Sequence, residues 1–170
     1  GQWLLSVPID ESAPIDLPQA QSTEDVPVAA PGEPIVQSLQ ELYNLDEIRQ
    51  AKEALAAGNV ELCRENLRAA YAKHPHLSPP ELVLARLFLS GGQFANGRRL
   101  LEEFSIADPN HPELYLLFGK LALVDGHVTD AIVHFQKADS FNLPEAWTDA
   151  QRAYFKRESA SGQTKIAEMR

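Results

Sequence analysis

Residues 113–138, ELYLLFGKLALVDGHVTDAIVHFQKA, decide the fold of this chain. Apolar side chains recur there every three or four residues on both sides of Gly126, which is the pattern of two amphipathic helices. The break between them, Asp125-Gly126-His127, is short and polar and contains glycine, as a tight turn requires. The stretch therefore predicts a helical hairpin.

The same pattern returns at a fixed distance along the chain. Gly58, Gly92 and Gly126 are spaced by 34 residues, and each lies in a polar break between two helical patterns. Three segments align on these glycines without a gap: residues 44–77, 78–111 and 112–145. Repetition at this period predicts a helix-turn-helix solenoid.

Within each segment, small and large apolar residues occupy fixed positions. The second helix carries a small residue (Cys63, Gly97, Ala131), followed four positions later by a large one (Leu67, Leu101, Phe135). The pattern resembles the tetratricopeptide repeat, and residues 112–145 match it best, with Tyr115, Phe118, Gly119, Ala131, Phe135 and Ala138 in the family's places. The middle segment matches with Leu84, Ala85, Phe88, Gly97 and Leu101, and departs from the pattern at Phe104. The first segment departs at Glu47 and Gln50, where apolar residues are expected.

The resemblance implies an all-α fold, a solenoid of three helical hairpins with a C-terminal capping helix. We expect the repeat domain to span residues 35–158, with the cap at 146–158 and a frayed end at 159–170. The resemblance implies a protein that binds another polypeptide, and we expect no catalysis. The carboxylate clamp of its chaperone-binding members is not reproduced, because Ile48, Val83 and Glu113 stand where polar or basic groups are needed.

The resemblance also implies a peptide-binding groove lined by the first helix of each repeat. Three positions of that helix lie on one helix face and, repeated over the three segments, form two apolar rows with a basic row between them. The first apolar row is Ile48, Leu82 and Leu116, the basic row is Lys52, Arg86 and Lys120, and the second apolar row is Leu55, Leu89 and Leu123. An alternative is that the cations pair with acids on neighbouring helices and that the leucines belong partly to the core.

Residues 1–34 differ in character from the rest of the chain. They hold six of the twelve prolines and six acidic residues, with no Lys or Arg. Closely spaced prolines disfavour helices and sheets, so this segment is predicted to be an extended acidic tail or linker. Because its composition complements a basic, apolar groove, we hypothesise that part of residues 9–28 packs on the repeat domain, with a solvated linker as the alternative.

No catalytic or metal site is predicted. The five histidines lie at turns or on helix surfaces without carboxylates or thiolates at ligand spacing, so we expect them to be exposed. Cys63 falls where the repeat requires a small buried residue, and buried free cysteine is usually inert. No phosphate loop or nucleophile motif is present, and no cofactor is expected.

Composition limits the partners. The net charge of -9 disfavours nucleic acid, and no apolar run is long enough for membrane insertion. We therefore predict a non-catalytic scaffold or adaptor whose groove binds an acidic, amphipathic peptide. The alternative is a structural or self-associating repeat module of a larger, membrane-anchored protein. The expected location is the cytoplasm, or the cell envelope if an anchor precedes Gly1.

Overall fold

The computed structural model describes residues 45–170, all of which belong to one compact unit. Within this range the chain forms seven α-helices and no strand, which confirms the all-α prediction. The predicted tail at 1–34, the docking of residues 9–28 and the start of the repeat domain at residue 35 lie outside the described residues.

The helices follow one another through short connections. Their bounds are α1 Asp46–Ala56, α2 Val60–Lys73, α3 Pro80–Ser90, α4 Phe94–Ala107, α5 Pro112–Val124, α6 Val128–Ser140 and α7 Asp149–Glu168. Proline begins α3 and α5, where the missing amide hydrogen removes no helical hydrogen bond. The helices α1, α3 and α5 each end at a short turn that contains a glycine.

Three helical hairpins are formed by α1 with α2, α3 with α4, and α5 with α6. The predicted turn glycines Gly58, Gly92 and Gly126 lie between the two helices of each pair, with φ of 79°, 74° and 75°. In this left-handed region a Cβ atom clashes with the backbone, so glycine is the favoured residue. The turn predictions are confirmed.

The core lies between the helices of each hairpin and between successive hairpins. The predicted small residues Cys63, Gly97 and Ala131 are all buried. At Gly97 a Cβ atom would lie 2.9 Å from Leu89 Cδ2, so the absence of a side chain lets α3 and α4 approach closely. This contact offsets the cost of a helical glycine, about 1 kcal/mol relative to alanine.

The C-terminal helix is longer than predicted and begins later. The expectation of a cap at 146–158 followed by frayed residues is wrong, because α7 starts at Asp149 and continues to Glu168. Thr148 caps it by accepting from the Gln151 amide, and the Gln151 side chain accepts from the Thr148 amide. The second half is ordered by packing, since Ser159, Gly162 and Ile166 are buried.

Gly162 explains how α7 comes so close to the hairpin of α5 and α6. A Cβ atom at Gly162 would overlap Phe135 Cζ, and one at Gly119 would lie 3.0 Å from the same ring. The Phe135 ring is therefore held between glycines of α5 and α7. Over the described residues, no helix has both the length and the apolarity needed to cross a bilayer.

Candidate functional site

The nine residues predicted to line a groove lie on α1, α3 and α5, and we call the surface that they define the groove face. The structure divides them by depth. Ile48, Leu82 and Leu116 are 2%, 0% and 1% exposed and belong to the core. Their prediction as ligand-contacting residues is corrected: Leu82 is buried in the core of the first two hairpins, and Ile48 and Leu116 also lie near Tyr154 and Phe155 of α7.

The second apolar row is more accessible. Leu55, Leu89 and Leu123 are partly buried and pack against the core from its edge. Leu89 also lies against Gly97, as described above. These leucines are the part of the predicted apolar lining that solvent still reaches.

The predicted basic row does not form a line of cations available to a ligand. Arg86 pairs with Glu113 of α5, and Lys120 pairs with Glu158 of α7. Lys52 is exposed at the end of the row. The alternative stated from the sequence, that these cations pair with acids on neighbouring helices, therefore describes Arg86 and Lys120 correctly.

Glu113 is the deepest charged group of the groove face. Its side chain is 3% exposed, and it accepts a hydrogen bond from Ser78 Oγ besides the pair with Arg86. Desolvating a carboxylate costs several kcal/mol unless such partners surround it. The Arg86–Glu113 pair thus links α3 to α5 across the boundary between two hairpins.

The N-terminal half of α7 lies over this region, which we call the covered part of the groove face. The Arg86 guanidinium is 5.5 Å from the centre of the Tyr154 ring, a cation–π distance. Gln151 Nε2 donates to the carbonyl oxygen of His76, and the Trp147 ring lies 6.1 Å from that of His111. The chain's own helix therefore occupies the part of the predicted groove around Arg86.

Packing beneath this half of α7 is incomplete. A cavity of about 50 Å³ remains there, with Leu77, Val83, Trp147, Tyr154 and Phe155 in its wall. The cavity is partly open to solvent. Burial raises the pKa of Tyr154, against the opposing effect of Arg86, so its ring faces the groove as a neutral phenol.

Beyond the covered part, the C-terminal ends of α3, α5 and α7 surround two hollows of about 220 and 430 Å³. They share Lys120 and Val124. We call this region the open part of the groove face, and its apolar side chains with substantial exposure are Leu89, Phe94, Leu123, Val124 and Met169. Phe94, Val124 and Met169 are 36%, 55% and 49% exposed.

The charges around the open part are nearly balanced. Lys120 and Lys165 face Glu158 and Glu168 at the rim of the larger hollow. Exposed pairs of this kind contribute about 0.2 to 1 kcal/mol. The apolar side chains therefore have the larger capacity to hold a ligand there.

Cys63 is buried, as expected, and burial raises the pKa of its thiol. The prediction of exposed histidines is wrong for four of the five: only His127 is exposed, while His74, His76, His111 and His134 are half-buried. The His111 ring lies 5.9 Å from that of Phe104. Among the described residues, no group of three or more His, Cys, Asp and Glu side chains is arranged to hold a metal ion.

Sequence reasoning missed the residues that α7 brings to the groove face. Trp147, Tyr154 and Phe155 were assigned to a terminal cap, and nothing in their spacing shows which surface the cap covers. Glu158 was a usable signal, because it follows Tyr154 by four residues and both then lie on one helix face. Phe94 and Met169 were missed because they lie outside the first helices of the repeats.

Comparison with known proteins adds no relative: no protein-family model and no curated protein matches this chain.

Proposed function

We propose that this chain is a non-catalytic solenoid of three tetratricopeptide-like repeats that binds an amphipathic polypeptide segment at the open part of its groove face. The observation that carries the proposal is the convergence of Phe94 of α4, Val124 of α5 and Met169, the residue after α7, on adjoining hollows. Exposed apolar side chains that cluster around a depression favour a protein contact, whereas scattered ones do not. The three glycine turns and the close contact at Gly97 support the repeat assignment.

The partner's apolar residues are proposed to provide most of the binding free energy. Burying apolar surface contributes about 25 cal/mol per Å², while each exposed ion pair contributes about 1 kcal/mol or less. Acidic residues of the partner would then set its orientation against Lys165, which is exposed at the rim of the larger hollow. An affinity in the micromolar range, about -8 kcal/mol, is consistent with a surface of this size.

A capture experiment with matched variants tests the proposal. Tagged wild-type protein is compared with Phe94→Asp/Val124→Asp and with Ile106→Asp/Val133→Asp, in extract of the source cells. Ile106 and Val133 are at least as exposed as Phe94 and Val124 but lie outside the hollows. We expect a protein that wild type and the second variant retain and that the first variant loses by at least about tenfold, or 1.4 kcal/mol.

Equal retention by all three proteins would contradict the proposal. Sedimentation of the same three proteins separates it from the alternative of a self-associating structural module. A dimer that forms at micromolar wild-type protein and is lost in Phe94→Asp/Val124→Asp would favour self-association. A monomer throughout favours a separate partner.

A further inference from the structure

The contacts of α7 describe the ligand that the covered part of the groove face accepts. Two cations of the predicted basic row, Arg86 and Lys120, each contact a side chain of α7. Arg86 faces the Tyr154 ring, and Lys120 pairs with Glu158. Tyr154 and Glu158 are four residues apart, so they project from one side of the helix. The surface thus recognises an aromatic ring and a carboxylate at that spacing.

The face that α7 presents differs from those of the other helices. Its buried residues are Gln151, Phe155, Ser159, Gly162 and Ile166, only two of which are large apolar residues. By contrast, α5 buries four leucines among its eight buried residues. Since apolar burial supplies most of the stabilisation in a helix contact, α7 is attached less strongly than α5.

Hydrogen bonds supply part of the attachment of α7 to the hairpins. Asp139 of α6 accepts hydrogen bonds from Ser159 Oγ and Gln163 Nε2, both at 2.7 Å. Gln151 donates to the His76 carbonyl at the other end. Water can replace each of these partners when α7 leaves, so their net contribution is modest. The cavity under Tyr154 and Trp147 leaves part of this contact unfilled.

We propose that α7 is an internal ligand, and that the covered part of the groove face is a recognition surface for a separate amphipathic helix carrying an aromatic residue and a carboxylate four positions apart. The partner helix displaces α7 and takes over its contacts with Arg86 and Lys120. The inference rests on the proposed function in one respect, that the groove face binds polypeptide. It concerns the part of that face under the N-terminal half of α7, and Arg86 and Lys120 line the hollows of the open part as well.

Gly162 provides a variant that loosens α7 without altering the surface beneath it. In Gly162→Ala the new Cβ meets the Phe135 ring, which is buried between Gly119 and α7 and has little room to move. Alanine also favours the helix itself, so the change weakens docking and not helicity. Thr164→Ala is the matched control, because it makes a helix-favouring change on the exposed side of α7.

The probe is a fluorescein-labelled peptide of residues 145–170, titrated into full-length wild type, Gly162→Ala and Thr164→Ala. A tethered helix competes at an effective concentration near millimolar. If α7 is closed in roughly 99% of wild-type molecules, the apparent Kd of the peptide is raised about 100-fold. We expect Gly162→Ala to bind the peptide at least tenfold more tightly than wild type and Thr164→Ala to match wild type.

Peptide variants test the recognised chemistry. Replacing Tyr154 by Ala and Glu158 by Lys in the peptide should weaken binding to Gly162→Ala at least tenfold, whereas the exposed change Lys156→Ala should leave it unaltered. Equal binding by all three peptides would overturn the proposal. A wild-type dimer that the peptide dissociates would also overturn it, in favour of exchange of α7 between two copies.

Hydrogen exchange of the wild-type protein decides the matter even if Gly162→Ala fails to fold. The amides of α7 should exchange at least tenfold faster than those of α5, through an opening that leaves the three hairpins intact. Equal protection of the two helices would show α7 to be a permanent part of the fold and would overturn the proposal. Loss of capture by Phe94→Asp/Val124→Asp is independent of this result, so the two proposals fail separately.

Discussion

The covered and open parts of the groove face use similar residues to different ends. In the covered part, Ile48 and Leu116 are buried near Tyr154 and Phe155 of α7, and the Glu113 carboxylate paired with Arg86 is only 3% exposed. In the open part, Val124 and Met169 remain half exposed around wide hollows. The difference teaches that position in a helical hairpin fixes which helix face a residue occupies, while the length and path of the last helix decide whether that face meets solvent.

The largest expected effect contrasts two residues of α5. Leu116→Asp should lower the free energy of unfolding by at least about 4 kcal/mol, because it buries a charge without a partner. Val124→Asp, two turns further along and 55% exposed, should change it by no more than about 0.5 kcal/mol. Urea unfolding measures both. Similar values for the two variants would remove the distinction between the covered and open parts.

The second prediction compares the two cations of the second and third hairpins. Arg86→Ala leaves Glu113 buried without its cation and should cost about 3 to 5 kcal/mol. Lys120→Ala breaks a more exposed pair with Glu158 and should cost about 1 kcal/mol or less. Arg86→Met combined with Glu113→Gln should recover much of the loss, since neither side chain is then charged. Failure of the double variant to recover would mean that Arg86 acts through its packing.

The smallest expected effect is a loss of folding stability as the pH is lowered. Burial lowers the pKa of His111, at the edge of the covered part, and of His134 on α6, with Asp108 and Asp130 opposing the change. Such histidines bind fewer protons when folded, so their contribution is complete above the unfolded pKa of 6.5 and is lost as pH falls below it. Stability should therefore be lower at about pH 5.5 than at about pH 7.5.

Variants at the histidines assign that pH dependence. His111→Gln and His134→Gln should each reduce the difference in unfolding free energy between the two pH values. His127→Gln, at an exposed position, is the control and should leave it unchanged. A pH dependence that survives in the double variant His111→Gln/His134→Gln would point to other groups.

The sequence predicted the helical hairpins better than it predicted the groove face. A tight turn or a close helix contact requires glycine or another small residue locally, so these positions can be recognised in the sequence. They are Gly58, Gly92 and Gly126 in the turns, and Cys63 and Gly97 in the helix contacts. The groove was predicted as an exposed surface because the first helices were considered without the last. Pairing of Arg86 with Glu113, and of Lys120 with Glu158, joins residues 27 and 38 positions apart, and helical periodicity carries no information about such pairs.

The sequence by itself determined the helices, their turns and the face on which each apolar residue lies, because these follow from interactions within about one helical turn or between neighbouring helices. Only the tertiary structure decided that residues 159–168 form helix and that α7 crosses the groove face. Gly162 is a poor helix former in isolation, and its value appears only when Phe135 lies against it. The extent of α7, and with it the division of the groove face, depends on packing across the chain, which no local pattern encodes.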